Sequence, residues 1–204
     1  MKKGPLKIGI TGGIGVGKSV VSRVFEVLKV PFYNADVQAK ALMTSDPLLI
    51  SQIKKLLGEK AYAGAQINRS YISKVVFNNQ SLLLQLNNHV HPAVQKDFER
   101  WVNENSHSPY IVKEAALLFE SGSYNSLDKI ITVVSPLELR INRLKIRDPH
   151  RNEMEIKSII NKQLPEEEKK NRADFIIYND EKQLIVPQVL HLHATFLKLH
   201  NIPY

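Results

Sequence analysis

The sequence predicts an α/β protein: a five-stranded parallel sheet flanked by helices and opened by a helical insertion. Three observations predict it. The first 33 residues read strand, glycine-rich turn, helix, strand, the βαβ signature of a parallel sheet. Five short apolar runs recur along the chain, and the fourth, Lys129–Val134, is unbroken, as suits a strand covered on both faces. Between the second and third runs the apolar spacing is helical throughout.

The elements follow in order. Leu6 leads into Lys7–Thr11, a short buried strand. A glycine-rich turn, Gly12 to Gly17, comes next. Lys18 to Lys29 places Val20, Val21, Val24, Phe25, Val27 and Leu28 at helical spacing. Val30–Tyr33 is the second strand. Helices are expected over Ala35–Met43, Pro47–Leu57, Arg69–Phe77 and Ser81–Asn103, with no strand among them. Tyr110–Lys113 is the third strand and Lys129–Val134 the fourth. Ser135 is expected as the N-cap of the next helix, with Pro136 at its first position and Glu138 in its first turn. A charged stretch runs to Arg172. Phe175–Tyr178 is the fifth strand, and a last helix runs to about His200. Pro187 fits that helix only in its first turn or at a kink.

Composition narrows the class. The chain has 204 residues, a length that suits one domain carrying insertions, with ordinary apolar and charged fractions. Cysteine is absent, which excludes disulfides, thiolate metal sites and a cysteine nucleophile. No apolar run approaches a membrane helix. The basic opening, Met1 to Leu6, is followed by a short, glycine-broken apolar stretch and does not read as a signal peptide. A cytoplasmic protein is expected. The net charge of +8 favours anionic ligands. Residues 140–172 carry ten Lys/Arg against six Asp/Glu, half that excess in a sixth of the chain.

Gly12-Gly13-Ile14-Gly15-Val16-Gly17-Lys18-Ser19 matches G-x-x-x-x-G-K-[ST], the phosphate-binding P-loop, with a strand before it and a helix after. Successive backbone N–H groups of such a loop turn into one concavity and bind anion oxygens, and the helix start adds its positive dipole end. Lys18 supplies a point charge for the β- and γ-phosphates, and the Ser19 hydroxyl suits Mg²⁺. The nucleotide-binding candidates are Gly13, Gly15, Val16, Gly17, Lys18, Ser19 and Val20. ATP and Mg²⁺ are the expected cosubstrate and cofactor.

The rest of the chain decides what receives the phosphoryl group. No Asn-Lys-x-Asp segment is present to read guanine. Ile111-Val112-Lys113-Glu114 is a poor match to the acidic strand of mechanical ATPases. Asp36 instead follows the second strand, at the carboxyl end where open parallel sheets bind ligands. A carboxylate there can orient an acceptor hydroxyl, take its proton and reach Mg²⁺ through water. It equally suits a helix N-cap. Arg140, Arg143, Arg147 and Arg151 share one helical face as far as the break expected at Asp148-Pro149. Arginine forks there would stabilise the transferring phosphoryl group, and a mobile lid would exclude water. A solvated helix face is the plainer alternative.

These motifs together resemble the dephospho-coenzyme A kinase family over the full length. The family's opening stands as Thr11 to Lys18, with Val16 for Ser. Its Asp-Ala-Asp stands as Asn34-Ala35-Asp36, its His-Pro as His91-Pro92, and its Pro-Leu-Leu-Phe-Glu as Ala116 to Glu120. Its Arg-x-x-x-Arg-Asp stands as Arg143 to Asp148. Its Gln, Ala-Asp and Asn positions stand as Gln163, Ala173-Asp174 and Asn179. The departures are Asn34, Ala116, and Arg140 where the family usually has Gln. The resemblance implies a P-loop kinase fold with a core at 1–35, 106–139 and 173–204, a helical substrate subdomain at 36–105 and an arginine-bearing lid at 140–172. It implies transfer of the ATP γ-phosphoryl group to the ribose 3′-hydroxyl of dephospho-coenzyme A, the last step of coenzyme A synthesis. Asp36 matches the family's base, with Lys18, Arg143 and Arg147 as its catalytic companions. Ser19 and Asp36 would serve Mg²⁺, and Glu114 would reach it through water.

Lys40, His91, Phe77, Phe119 and Glu120 are candidates for the acceptor side, Glu120 as a substrate or lid contact. His91 before Pro92 suggests a fixed loop or a helix start. His89 and His91 are not read as a metal site, and His191 and His193 look like surface or partner-face residues. Two other readings compete. A nucleotide or nucleoside kinase would need several arginines in the insertion, which holds only Arg69 and Arg100. A nucleic-acid-binding ATPase would need a basic stripe outside the lid with interleaved aromatics, and the Lys/Arg there are dispersed. Neither nucleic acid nor membrane is expected as a partner. A monomer is favoured over an oligomer.

Overall fold

The structure is a computed structural model that describes residues 4–77 and 79–201, excluding the Asn201 side chain. The opening residues 1–3 lie outside the described residues. The chain divides into two units, 1–34 with 102–204, and 35–101.

The first unit is built on a five-stranded, wholly parallel sheet. Its strands are β1 (Leu6–Thr11), β2 (Phe32–Asn34), β5 (Tyr110–Glu114), β6 (Lys129–Val134) and β7 (Phe175–Tyr178), in the spatial order β2-β5-β1-β6-β7. Thr11 pairs with Thr132, and Asn34 with Glu114, so the carboxyl ends of four strands meet at one edge. One face of the sheet is covered by α1 (Lys18–Val27) and α9 (Ile185–Asn201). Ile8, Ile10, Val112, Ile131 and Val133 pack there against Val21, Phe25, Val189 and Phe196. Burial of each such side chain contributes about 1.5–3 kcal/mol relative to exposure. Val20 and Val27, part of the apolar spacing of α1, stand more than half exposed, because α9 and the sheet cover only one side of that helix.

Three further helices follow β6: α6 (Leu137–Arg147), α7 (Glu153–Asn161) and α8 (Glu166–Arg172). Helix α6 ends at Arg147, as Asp148-Pro149 requires. Asn152 and Glu155 form a capping box at the start of α7. Ile141, Leu144 and Ile156 make a small separate core under α6 and α7, with Ile14 of the glycine-rich turn and Ile160 packed against it. Ser135 is not the N-cap of α6. Pro136 takes that position without a side-chain cap, and the Ser135 hydroxyl accepts a hydrogen bond from Arg143 Nη1 at 3.0 Å instead. Pro187 falls in the first turn of α9. Tyr110 OH and His193 Nδ1 lie 2.5 Å apart, so His193 is half-buried against the core rather than a surface residue.

The second unit holds α2 (Ala35–Ser45), α3 (Pro47–Leu57), α4 (Arg69–Phe77) and most of α5 (Gln80–Glu104). Asp46 caps α3 by accepting from the N–H groups of Leu48 and Leu49. Leu49, Ile53, Ile72, Leu86, Val90 and Phe98 are buried within it. Contrary to the sequence expectation, a two-stranded antiparallel pair interrupts the helices: β3 (Tyr62–Ala63) and β4 (Gln66–Ile67), turned at Gly64 with φ 62°. Strands of two residues show no alternation for a sequence to display. Pro92 lies inside α5 rather than at a helix start. Among the described residues no helix is long and apolar enough to cross a membrane.

Candidate active site

The glycine-rich turn lies at the carboxyl edge of the sheet, between β1 and α1. Gly15 and Gly17 have φ of 82° and 90°, conformations that side chains rarely adopt. Gly17 is the N-cap of α1. Lys18 opens that helix and folds its side chain back over the turn, donating from Nζ to the carbonyls of Gly12 at 2.8 Å and Gly13 at 3.2 Å. The Ser19 side chain is exposed in the first turn of α1, and Val20 is exposed beside it. Val16 is fully buried, so only its backbone faces the turn's surroundings. A helix start, successive glycines and a lysine thus converge as an anion cradle.

Residues from well down the chain brace this turn. Asn179, just after β7, donates from Nδ2 to Val16 O at 2.8 Å. Gln163 Oε1 accepts from Ile14 N–H at 2.8 Å, and Arg140 Nε donates to Ile14 O at 3.0 Å. Arg140 is buried, with a side-chain exposure of 8%, and pairs with Glu166 at 3.4 Å. Burial lowers its pKa from the usual guanidinium value, and Glu166 opposes that.

Arg143 and Arg147 are engaged differently. Arg143 reaches Ser135 Oγ, the Asn179 carbonyl and Glu181, the last at 3.2 Å. Arg147 forks onto Asp148 at 3.1 and 2.8 Å and is mostly exposed. That hydrogen-bonded pairing raises the Arg147 pKa and lowers that of Asp148.

Past β5, Phe119 is buried, its ring 5.6 Å from that of Tyr124, with the Arg172 guanidinium 5.9 Å above it. Glu120 Oε1 accepts from Leu164 N–H at 3.0 Å and pairs with Lys169 Nζ at 3.0 Å. It therefore touches the 140–172 segment. Partial burial pushes its carboxyl pKa up, but backbone donors and Lys169 outweigh that and hold it below the usual carboxylate range. Glu114, at the end of β5, accepts from Ser22 Oγ at 2.6 Å.

In the second unit, Asp36 stands exposed in the first turn of α2, two residues beyond the end of β2. Lys40 is exposed one turn later on the same helix, and His91 is exposed in α5 before Pro92. Phe77 is exposed at the end of α4. No group of three or more His, Asp or Glu suited to a metal occurs among the described residues. A Mg²⁺ that takes one hydroxyl and phosphate oxygens needs no such group, and Ser19 fits it.

The sequence did not reveal Lys169. It sits in a Glu-Glu-Glu-Lys-Lys run that reads as a solvated helix, yet it is 1% exposed. No local pattern signals that burial.

A family model described as dephospho-CoA kinase matches residues 6–184. The chain belongs to the dephospho-CoA kinase family. A Bacteroides fragilis protein named dephospho-CoA kinase is 38% identical over 198 residues, 97% of this chain and 96% of that one. Among solved structures, Thermus thermophilus TT1252 superposes with a TM-score of 0.84 at 28% identity, covering 95% of this chain and 98% of that one. A Campylobacter jejuni dephospho-CoA kinase superposes with a TM-score of 0.70 at 25% identity, covering 94% and 97%. The parallel sheet with its glycine-rich turn is thus a P-loop kinase fold. Dephospho-CoA kinases are ATP-dependent phosphotransferases of coenzyme A synthesis, and the braced turn is where such an enzyme needs an anion cradle.

Proposed function

We propose that this chain transfers the γ-phosphoryl group of ATP to the ribose 3′-hydroxyl of dephospho-coenzyme A, giving coenzyme A and ADP. The observation that carries the reading is the braced cradle at Gly12–Ser19 within a chain of this family. The N–H groups of Gly13, Gly15, Val16, Gly17, Lys18, Ser19 and Val20 are the donors for the phosphates. Lys18 exchanges its carbonyl partners for the β- and γ-phosphates. Mg²⁺, on the Ser19 hydroxyl and reached by Asp36 through water, would neutralise phosphate charge.

In the transfer, the acceptor oxygen forms a bond to the γ-phosphorus. The bond from that phosphorus to the β,γ-bridging oxygen breaks, and its electrons leave with ADP. The hydroxyl proton passes to the Asp36 carboxylate. Asp36 follows directly from the strand edge at Asn34, the place an α/β sheet gives to such a group. Residues 140–172 act as the lid, with Arg143 and Arg147 turning from Glu181 and Asp148 to the transferring group. Lys40, His91 and Phe119 are assigned to binding the acceptor, and Glu120, held by Leu164 and Lys169, to a substrate or lid contact. The enzyme is expected in the cytoplasm, with a monomer favoured over an oligomer and neither nucleic acid nor membrane as a partner.

The test is ADP formation from Mg-ATP with and without dephospho-coenzyme A. Turnover is expected only with the acceptor, and Asp36→Asn is expected to lower kcat at least about a hundredfold, since a general base is worth roughly 10²–10⁴. Equal ADP formation with and without the acceptor would overturn the substrate assignment. An undiminished variant would overturn the base.

A further inference from the structure

Arg140 touches three successive residues of the phosphate-binding turn. Its Nε holds Ile14 O at 3.0 Å. A Cβ on Gly13 would collide with its guanidinium, and one on Gly15 would come within 2.9 Å of its carbonyl oxygen. From the other side, Gln163 Oε1 holds Ile14 N–H at 2.8 Å. The Ile14 side chain packs on the Ile141–Leu144–Ile156 cluster. Gly13, Arg140, Gln163, Glu166 and Lys169 together line a cavity of about 280 Å³ behind the turn. Both polar ends of one loop residue are therefore fixed by two side chains from a single segment, 140–172. Glu166 holds one of them in turn at 3.4 Å.

We propose that Arg140 and Gln163 are positioning residues for phosphoryl transfer: they grip the N–H and C=O of Ile14 and so set where the Gly13–Gly15 backbone presents itself to the γ-phosphate. The physical reason is directional. A backbone cradle binds an anion only while its N–H vectors converge, and a glycine-rich turn has little stiffness of its own. A misplacement of about 1 Å at such a site lowers rates by around a hundredfold. Two side-chain hydrogen bonds on one residue supply the missing stiffness, both from the 140–172 segment.

The inference rests on the turn being the ATP phosphate site, so its test includes a readout independent of the acceptor. Arg140→Met, Gln163→Leu and the double variant are compared with the wild type for KM of Mg-ATP, KM of dephospho-coenzyme A and calorimetric Kd of Mg-ADP, beside thermal unfolding. Gln163→Leu changes no charge, so its loss reports position rather than field, and it carries the test should Arg140→Met fail to fold. Each single variant is expected to raise KM for Mg-ATP about tenfold while KM for the acceptor stays within about twofold. The double variant is expected to be no worse than the poorer single one, because both act on one residue. Additive losses would overturn the proposal, as would both KM values rising together in step with a lowered Tm. A wild type that binds no nucleotide would overturn the phosphate-site reading itself. A wild type that binds and a Gln163→Leu variant that binds equally would overturn the positioning role alone.

Discussion

Gly17 shows how far one residue's conformation can be tied to the site. It holds φ 90° at the N-cap of α1, and the Asn179 amide that binds Val16 O occupies the space a Cβ would need. Gly17→Ala meets two penalties at once. A left-handed conformation disfavours alanine by about 1–2 kcal/mol relative to glycine, and Asn179 must give up its hydrogen bond to make room. The expected result is a variant about 2–3 kcal/mol less stable by urea unfolding, with Mg-ADP affinity lost in the fraction that folds. The motif made Gly17 legible from the sequence. Its partner Asn179 was legible only as a family position, because the two lie far apart in the chain and nothing local to either announces the contact.

At the scale of elements, the sequence reads regular units well and joints poorly. Lys129–Val134 and Phe175–Tyr178 are strands over the expected residues, and Pro47–Leu57 and Arg69–Phe77 are helices over theirs. Each carries its signal internally, as an apolar run or a helical stripe. Pro92 sits inside α5, the Tyr62–Ile67 hairpin has strands too short to show alternation, and Ser135 went astray because a tertiary partner decides it: Arg143 claims its hydroxyl. The joint between the loop after β5 and α8 is of this kind. Glu120 binds Leu164 N–H and the buried Lys169, and its folded pKa lies below its unfolded value. The pairing therefore stabilises the fold above the unfolded carboxyl pKa and is lost as pH falls through the lower, folded one. Glu120→Gln keeps an acceptor for Leu164 but not the charge. Its destabilisation, read by urea unfolding, is expected in full at pH 7 and to shrink below about pH 4. A difference that stays constant down to pH 3 would remove the ion pair from the account.

Over the whole molecule, charge matters more for capture than for fold. Half of the net +8 falls on residues 140–172, a sixth of the chain, where the proposed lid would meet polyanionic ligands. A field of that sign raises the local concentration of ATP and dephospho-coenzyme A, and salt screens it, with a Debye length of about 10 Å at 0.1 M. Lys157 tests this without touching the turn. It is half-exposed on α7 and pairs with Glu153 at 2.8 Å, which Lys145 also holds. Lys157→Glu lowers the net charge by two while leaving the Ile14 grip intact. At low ionic strength kcat/KM for both substrates is expected to fall about two- to threefold with kcat unchanged, and the wild type and variant are expected to converge near 0.5 M salt, where screening acts within about 4–5 Å. A deficit that persists at high salt would mean that Lys157 acts by contact, and the distributed field would then have no part in substrate capture.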